Sequence, residues 1–203
     1  MLTFDHIALS GETLEAARDH AESRLGVPMQ AGGQHAVFNT HNVLLGLSDG
    51  LYFEVIAIDP TAPQPERPRW FDLDNFAGRP RLTNWICRCD DLEAALRAMP
   101  EGAGVPVDLR RGDLRWRMAV PANGRLPFDN CFPALIEWQS EQTPPQRLAP
   151  SGVTLLDMTV SHPQASALEA TLAPHLDDAR ITFRAGSPGI TASFDVNGTR
   201  CVL

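Results

Sequence analysis

Apolar and polar positions change period along this chain in the same order twice. Thr3 to Leu9 alternates at the two-residue period of a strand. Glu12 to Leu25 then sets Leu14, Ala17, Ala21 and Leu25 at helical spacing, before Gly26 and Pro28 close the run. Gly32-Gly33 punctuates the chain. His35 to Phe38, Thr40 to Leu47 and Leu51 to Ile58 follow as short strands, the last two joined by Ser48-Asp49-Gly50. The pattern predicts a βαβββ module over residues 1–59.

The order recurs from Leu82. Leu82 to Cys89 reads as a strand, and a helix follows with Leu92, Ala95, Leu96 and Met99 on one face and Asp90 or Asp91 as its N-cap. Val105 to Leu109, Asp113 to Val120 and Cys131 to Trp138 complete a second βαβββ module over 82–140. Repetition at a fixed period is a stronger signal than any local motif. Each copy carries a polar residue on its first strand, His6 or Asn84, and a carboxylate on its last, Glu54 or Glu137, roughly 50 residues on. Modules paired face to face would turn all four toward one cleft.

Between the modules, residues 60–81 hold Pro60, Pro63, Pro65, Pro68 and Pro80 around Trp70-Phe71 and Phe76. Prolines on this scale remove ladder donors and break helices, so the segment is a surface connector, either an anchored linker or a lid over a pocket. A linker over 141–151 leads to a half-module over 152–203. There Val153 to Val160, Ile181 to Arg184, Ile190 to Val196 and Thr199 to Leu203 read as strands, and Gln164 to Leu176 as a helix. The half-module is expected to cover a sheet edge, its own or a partner's. The fold class is α+β: paired βαβββ modules forming an open, cup-shaped mixed β-sheet, plus a C-terminal partial module, in one compact body.

Composition narrows the chemistry. A formal charge of −8 and a pI near 5.2 argue against a nucleic-acid partner, which needs a concentrated basic surface. No segment has the length or flanks of a signal peptide or membrane span, so a soluble, cytoplasmic protein acting on a small molecule is expected. Cys87, Cys89, Cys131 and Cys201 are too few for a disulfide scaffold, and no second Cys/His pair completes Cys87 and Cys89 as a zinc site. All 17 basic residues are Arg, which excludes lysine Schiff-base chemistry, and neither a Gly-x-Ser-x-Gly elbow nor a phosphate-binding glycine loop is present. Carboxylates and histidines remain as acid–base candidates. Glu54 or Glu137, buried in an apolar cup, would have a raised pKa suited to moving a proton, and an ionised carboxylate there would need a cationic neighbour. His20, His162 and His175 read as surface residues.

The duplicated modules, with His6 and Glu54 on the first and last strands of one copy, resemble the vicinal oxygen chelate superfamily. It includes glyoxalase I, bleomycin-resistance proteins and extradiol dioxygenases. More narrowly, His35 to Glu54 with the run Asn39-Thr40-His41-Asn42-Val43-Leu44-Leu45, then Trp70-Phe71, Arg79-Pro80-Arg81-Leu82 and Leu135-Ile136-Glu137-Trp138, is similar to the glyoxalase-like domain family. The resemblance implies metal ligands His6, Glu54 and Glu137 for Zn²⁺, Ni²⁺, Mn²⁺ or Fe²⁺. Asn84 stands where relatives offer a second histidine, a weaker donor that also admits a metal-free cup. Glu54 or Glu137 would serve as base. His41, Asn42, Asn84, Trp70 and Trp116 are the substrate-contact candidates, with His35 near the entrance. Two functions stay open: a metal-dependent lyase or isomerase, ahead of a dioxygenase, or a non-catalytic binder of the bleomycin-resistance type, favoured by the aromatic supply of Trp70, Phe71, Trp85, Trp116 and Trp138. Relatives often build clefts across chains, so a homodimer is possible.

Overall fold

β1 (Thr3–Ser10) is the spine of the structure, a computed structural model describing all 203 residues, and seven of its eight residues are buried. It runs parallel to β4 (Tyr52–Ile58) on one side and antiparallel to β5 (Arg81–Arg88) on the other. Occupying the middle of a sheet covered on both faces explains why Phe4, Ile7, Ala8 and Leu9 are all apolar. Between β1 and β4 lie α1 (Leu14–Leu25), β2 (Gln30–His35) and β3 (Thr40–Leu47). α1 starts at Thr13, whose hydroxyl accepts from the Ala16 amide at 3.1 Å, and stops at Gly26, which takes the left-handed conformation at φ 66°.

After β5 the same order returns as α2 (Leu92–Leu96), β6 (Val105–Arg111), β7 (Leu114–Val120) and β8 (Ala134–Trp138). Asp91 caps α2, accepting from the Ala94 amide at 2.8 Å. A turn of helix, α3 (Pro144–Arg147), leads to β9 (Pro150–Ser161), α4 (Ala165–Leu172), β10 (Ile181–Arg184), β11 (Gly189–Val196) and β12 (Thr199–Val202). All 12 strands form one mixed sheet, ordered β12-β11-β9-β3-β4-β1-β5-β8-β7-β6, with β2 on β3 and β10 on β9. β9 bonds to β3 at Gly46 and Leu47, so the C-terminal unit continues the sheet beyond the first module. No helix is long and apolar enough to cross a membrane. The core runs continuously through 45 buried residues, with Phe53, Trp85, Phe132 and Phe194 among the fully buried rings.

One strand departs from the sequence pattern. Gly32-Gly33 lies inside β2 and His35 ends it, whereas the pattern placed the strand at His35 to Phe38. Two glycines weaken a strand unless another chain must pass close, which is the case here. A Cβ on Gly32 would lie 2.1 Å from Asn42 Oδ1 and 2.4 Å from the Asn42 carbonyl oxygen, and one on Gly33 would lie 2.6 Å from Arg111 Cδ. The Arg111 side chain fills that space, packing the end strand β6 against β2. His162, expected at the surface, is buried at 3 % exposure, its Nε2 3.2 Å from Asp129.

This packing predicts that Gly32→Ala lowers unfolding free energy by about 1–3 kcal/mol through overpacking. Gly189→Ala, with nothing within 4 Å of the added carbon, stays within about 0.5 kcal/mol of the parent. Urea denaturation of the two variants checks this, and equal stabilities would contradict it.

Candidate functional site

Strand parity builds the site. Side chains two apart on a strand share a face, and residues 6 on β1, 42 and 44 on β3, 52 and 54 on β4, 116 and 118 on β7, and 136 and 138 on β8 all line one cleft. His35, Trp70, Phe71, Arg111 and Pro144 complete the lining of a narrow cleft of about 30 Å³ that is partly open to solvent. The connector supplies one wall rather than a loose cover. Trp70 stacks between Phe38 and Phe71 at centroid distances of 4.5 and 5.1 Å, and Arg69 anchors the turn to Asp74 at 2.6 Å. The Phe71 carbonyl accepts from Asn130 at 3.1 Å. Trp116 and Trp138, 5.7 Å apart, form the opposite wall.

The floor is a chain of buried polar groups. His6 Nδ1 donates to Asp5 Oδ1 at 2.7 Å, and Asp5 Oδ2 accepts from Trp138 Nε1 at 3.1 Å, with Arg88 3.6 Å away. His6 Nε2 lies 3.6 Å from Glu54 Oε2, and the Tyr52 ring stacks on the imidazole at 4.1 Å. Asn42 Nδ2 donates to Glu54 Oε1 at 2.6 Å and lies 3.4 Å from His35 Nε2. Asn42 Oδ1 accepts from the Gly33 amide at 2.9 Å and from Arg111 Nη1 at 3.0 Å, which fixes the orientation of the amide. His35 Nδ1 is 3.0 Å from the Thr40 hydroxyl, which also accepts from Trp70 Nε1 at 3.3 Å.

Protonation follows from these contacts. Burial works against the charge on His6, but hydrogen bonds and charge from Asp5 and Glu54 outweigh it and raise the pKa above 6.5. Burial likewise pushes the Glu54 carboxyl up, yet the bond to His6, the charge of His6 and His35, and the bond from Asn42 hold it down at about 2. The sequence-based expectation of a raised Glu54 pKa is therefore corrected: the cation that such a carboxylate requires is His6, the neighbour on β1. His35 has no carboxylate partner of its own, and burial lowers its pKa to about 4, leaving a neutral imidazole. Burial also pushes the Tyr52 phenol well up, so it keeps its proton.

The structure brings His6, Glu54, Asn42, His35, Trp70 and Trp116 together. It places Glu137, Asn84 and His41 elsewhere. β8 presents Ile136 and Trp138 to the cleft, so Glu137 faces away, where its Oε2 accepts from the Leu92 amide at 2.8 Å and lies 3.7 Å from Arg117. A carboxylate there suits the N-terminus of α2. Asn84, fully buried, accepts from Asn130 at 3.4 Å and leaves its Nδ2 without a partner. His41 alternates with Asn42 and so falls on the other face of β3. Trp85 points into the core, donating to the Cys131 carbonyl at 2.9 Å. Asp5, Tyr52 and Arg111 escaped the sequence reading. Tyr52 was findable, since it sits two residues before Glu54; Asp5 was not, because a register shift between Phe4 and His6 lets neighbouring residues share the floor.

The metal set expected from the resemblance does not assemble. No three His, Cys, Asp or Glu side chains are placed to hold an ion. Of His6, Glu54 and Glu137 only the first two meet, and their inner atoms already serve Asp5, Asn42 and each other.

The residues between 4 and 176 match the model of the Glyoxalase-like domain family, and the chain belongs to that family. Among solved structures it is similar to a hypothetical protein from Staphylococcus aureus, at 15% identity and a TM-score of 0.62, over 98% of this chain and 97% of that one. Methylmalonyl-CoA epimerase from Mycobacterium tuberculosis is 18% identical with a TM-score of 0.42, over 66% of this chain and 85% of that one. A mutant of 4-hydroxymandelate synthase from Streptomyces coelicolor is 15% identical with a TM-score of 0.40, over 70% and 50%. No curated protein matches the chain.

The buried groups predict the pH dependence of stability. His35 takes up its proton at about 4 when folded against 6.5 for an ordinary histidine, so the unfolded chain binds more protons in that interval. Stability then falls as pH drops from 6.5 toward 4, by up to about 3 kcal/mol. Glu54, depressed from 4.5 to about 2, adds a second loss across that lower window. His6, raised, acts oppositely: its contribution is complete below 6.5 and fades as pH rises through its folded value. Urea midpoints measured across pH should show that His35→Gln flattens the limb between 6.5 and 4; an unchanged slope contradicts the assignment.

Proposed function

We propose that this chain is a small-molecule-binding protein whose aromatic cleft takes a flat, oxygen-bearing ligand directly on its polar floor, without a protein-held metal. The observation that carries this reading is the parity of β8: Ile136 and Trp138 occupy the cleft positions where a second carboxylate would be needed, and Glu137 is committed to α2. What remains is largely apolar with a few converging polar groups, the usual make-up of a ligand pocket. Phe71, Trp116 and Trp138 line it with rings, and the floor presents Tyr52 and His6.

A second reading, metal-independent proton transfer of the isomerase type, is favoured by the Asp5–His6 pair, which orients Nε2 toward Glu54 and the cleft. In that reading His6 is the group with a proton to give, and Glu54, held near a pKa of about 2, stabilises the imidazolium and is a weak base. The metal-dependent lyase expected from the family likeness is not adopted, because its donors are dispersed.

Two measurements test the proposal. Calorimetric titration of purified protein with Zn²⁺, Ni²⁺, Mn²⁺ and Fe²⁺ should give no stoichiometric uptake; one equivalent lost in His6→Ala would overturn the metal-free cleft. A screen of small aromatic and oxygenated compounds by tryptophan fluorescence should yield saturable, chelator-insensitive quenching. Glu54→Ala should weaken that binding by tenfold or more, since it uncovers a buried imidazolium, whereas Glu137→Ala should shift it less than twofold. Equal effects of the two would contradict the placement of the site.

A further inference from the structure

Arg111 is a cation without an anion. It ends β6 beside the turn at Gly112-Asp113 and lines the cleft, yet no carboxylate lies within ion-pair distance of it. Its one protein acceptor is Asn42 Oδ1 at 3.0 Å, which leaves most of the guanidinium fork free. The charges beneath it are accounted for. Asp5 faces His6 and Arg88, Glu54 faces His6, and both Glu54 oxygens are engaged, one with Asn42 and the other with His6. Arg111 alone among these charged groups faces no carboxylate, and it sits at the mouth of an aromatic cleft.

The chain makes room for this arrangement. The stem of Arg111 crosses β2 where a Gly33 Cβ would be 2.6 Å away, and Gly32 lets the strand approach the Asn42 amide that receives the guanidinium. A strand bears the cost of two glycines and obtains an Arg held across the opening. Asn42 then separates the guanidinium from Glu54, so an anion at Arg111 does not meet the floor carboxylate first.

We infer that the cleft selects ligands carrying a carboxylate, or a comparable planar oxyanion, on a flat aromatic body, with Arg111 as the anchor and Phe71, Trp116 and Trp138 receiving the rings. The inference rests on the binding-cleft reading above and adds the ligand class. A guanidinium fork matches two oxygens in one plane, and a charge-assisted pair in a partly desolvated cleft is stronger than its neutral counterpart.

The test uses benzoate, 1-naphthoate and 2-naphthoate, each beside its neutral carboxamide, in calorimetric titrations of the full chain. The expected result is that at least one acid binds tenfold or more tighter than its amide. Arg111→Gln should narrow that preference to within twofold, and Arg111→Lys, which keeps the charge without the fork, should retain part of it. Gly33→Ala leaves every charge in place but displaces the Arg111 stem, and should also reduce the preference; near-ultraviolet circular dichroism confirms that each variant is folded. Acids and amides binding equally, or a preference untouched in folded Arg111→Gln, overturns the inference while the cleft reading stands. Failure of all six compounds to bind overturns both.

Discussion

The His6 imidazolium, held between the buried carboxylates of Asp5 and Glu54, is the interaction on which this site depends. A carboxylate in a low-dielectric interior costs several kcal/mol unless charge and hydrogen bonds offset the lost water, and Asp5 and Glu54 are 2 % and 5 % exposed. One shared cation serves both. The remaining partners then follow: Trp138 and Arg88 on Asp5, Asn42 on Glu54, Tyr52 stacked over the ring. Asn42 is fixed in turn by Gly33 and Arg111, so the floor reaches from the spine strand to β2 and the end strand β6.

Much of the fold was legible because it is written in period. The strands read at Thr3 to Leu9 and Leu51 to Ile58 and the helical spacing from Leu14 to Leu25 correspond to elements of the structure. The module repeat was likewise visible before any contact was known. What failed was parity. Matching Glu137 to Glu54 by its place near the end of a strand ignores the fact that a shift of one residue turns a side chain to the opposite face. The β5–β8 register, which pairs Cys87 with Leu135 and Arg88 with Ile136, decides that face, and no feature of the sequence announces it. Asp5 escaped for the converse reason: the irregularity at the start of β1 places adjacent residues in one network. Gly32-Gly33 read as a break because glycine more often interrupts a strand than lets one pass tightly over a side chain.

The two halves of the cup have consequently diverged. The first module contributes His6, Asn42, Tyr52 and Glu54 to the floor, while the second contributes Trp116, Met118, Ile136 and Trp138 to the walls. The strand framework is common to both modules, and the difference lies in which residues occupy a few inward positions. Here one module is ionic and the other aromatic, an asymmetry suited to a ligand with one polar edge and one flat face.

The most direct measurement is the ¹⁵N NMR signal of the His6 ring near pH 6, below its raised pKa, where the protonated form predominates, recorded before and after saturating Zn²⁺. A doubly protonated imidazolium unchanged by the metal is the predicted result. A neutral ring in the metal-free protein, or loss of the Nε2 proton on adding zinc, would contradict the account.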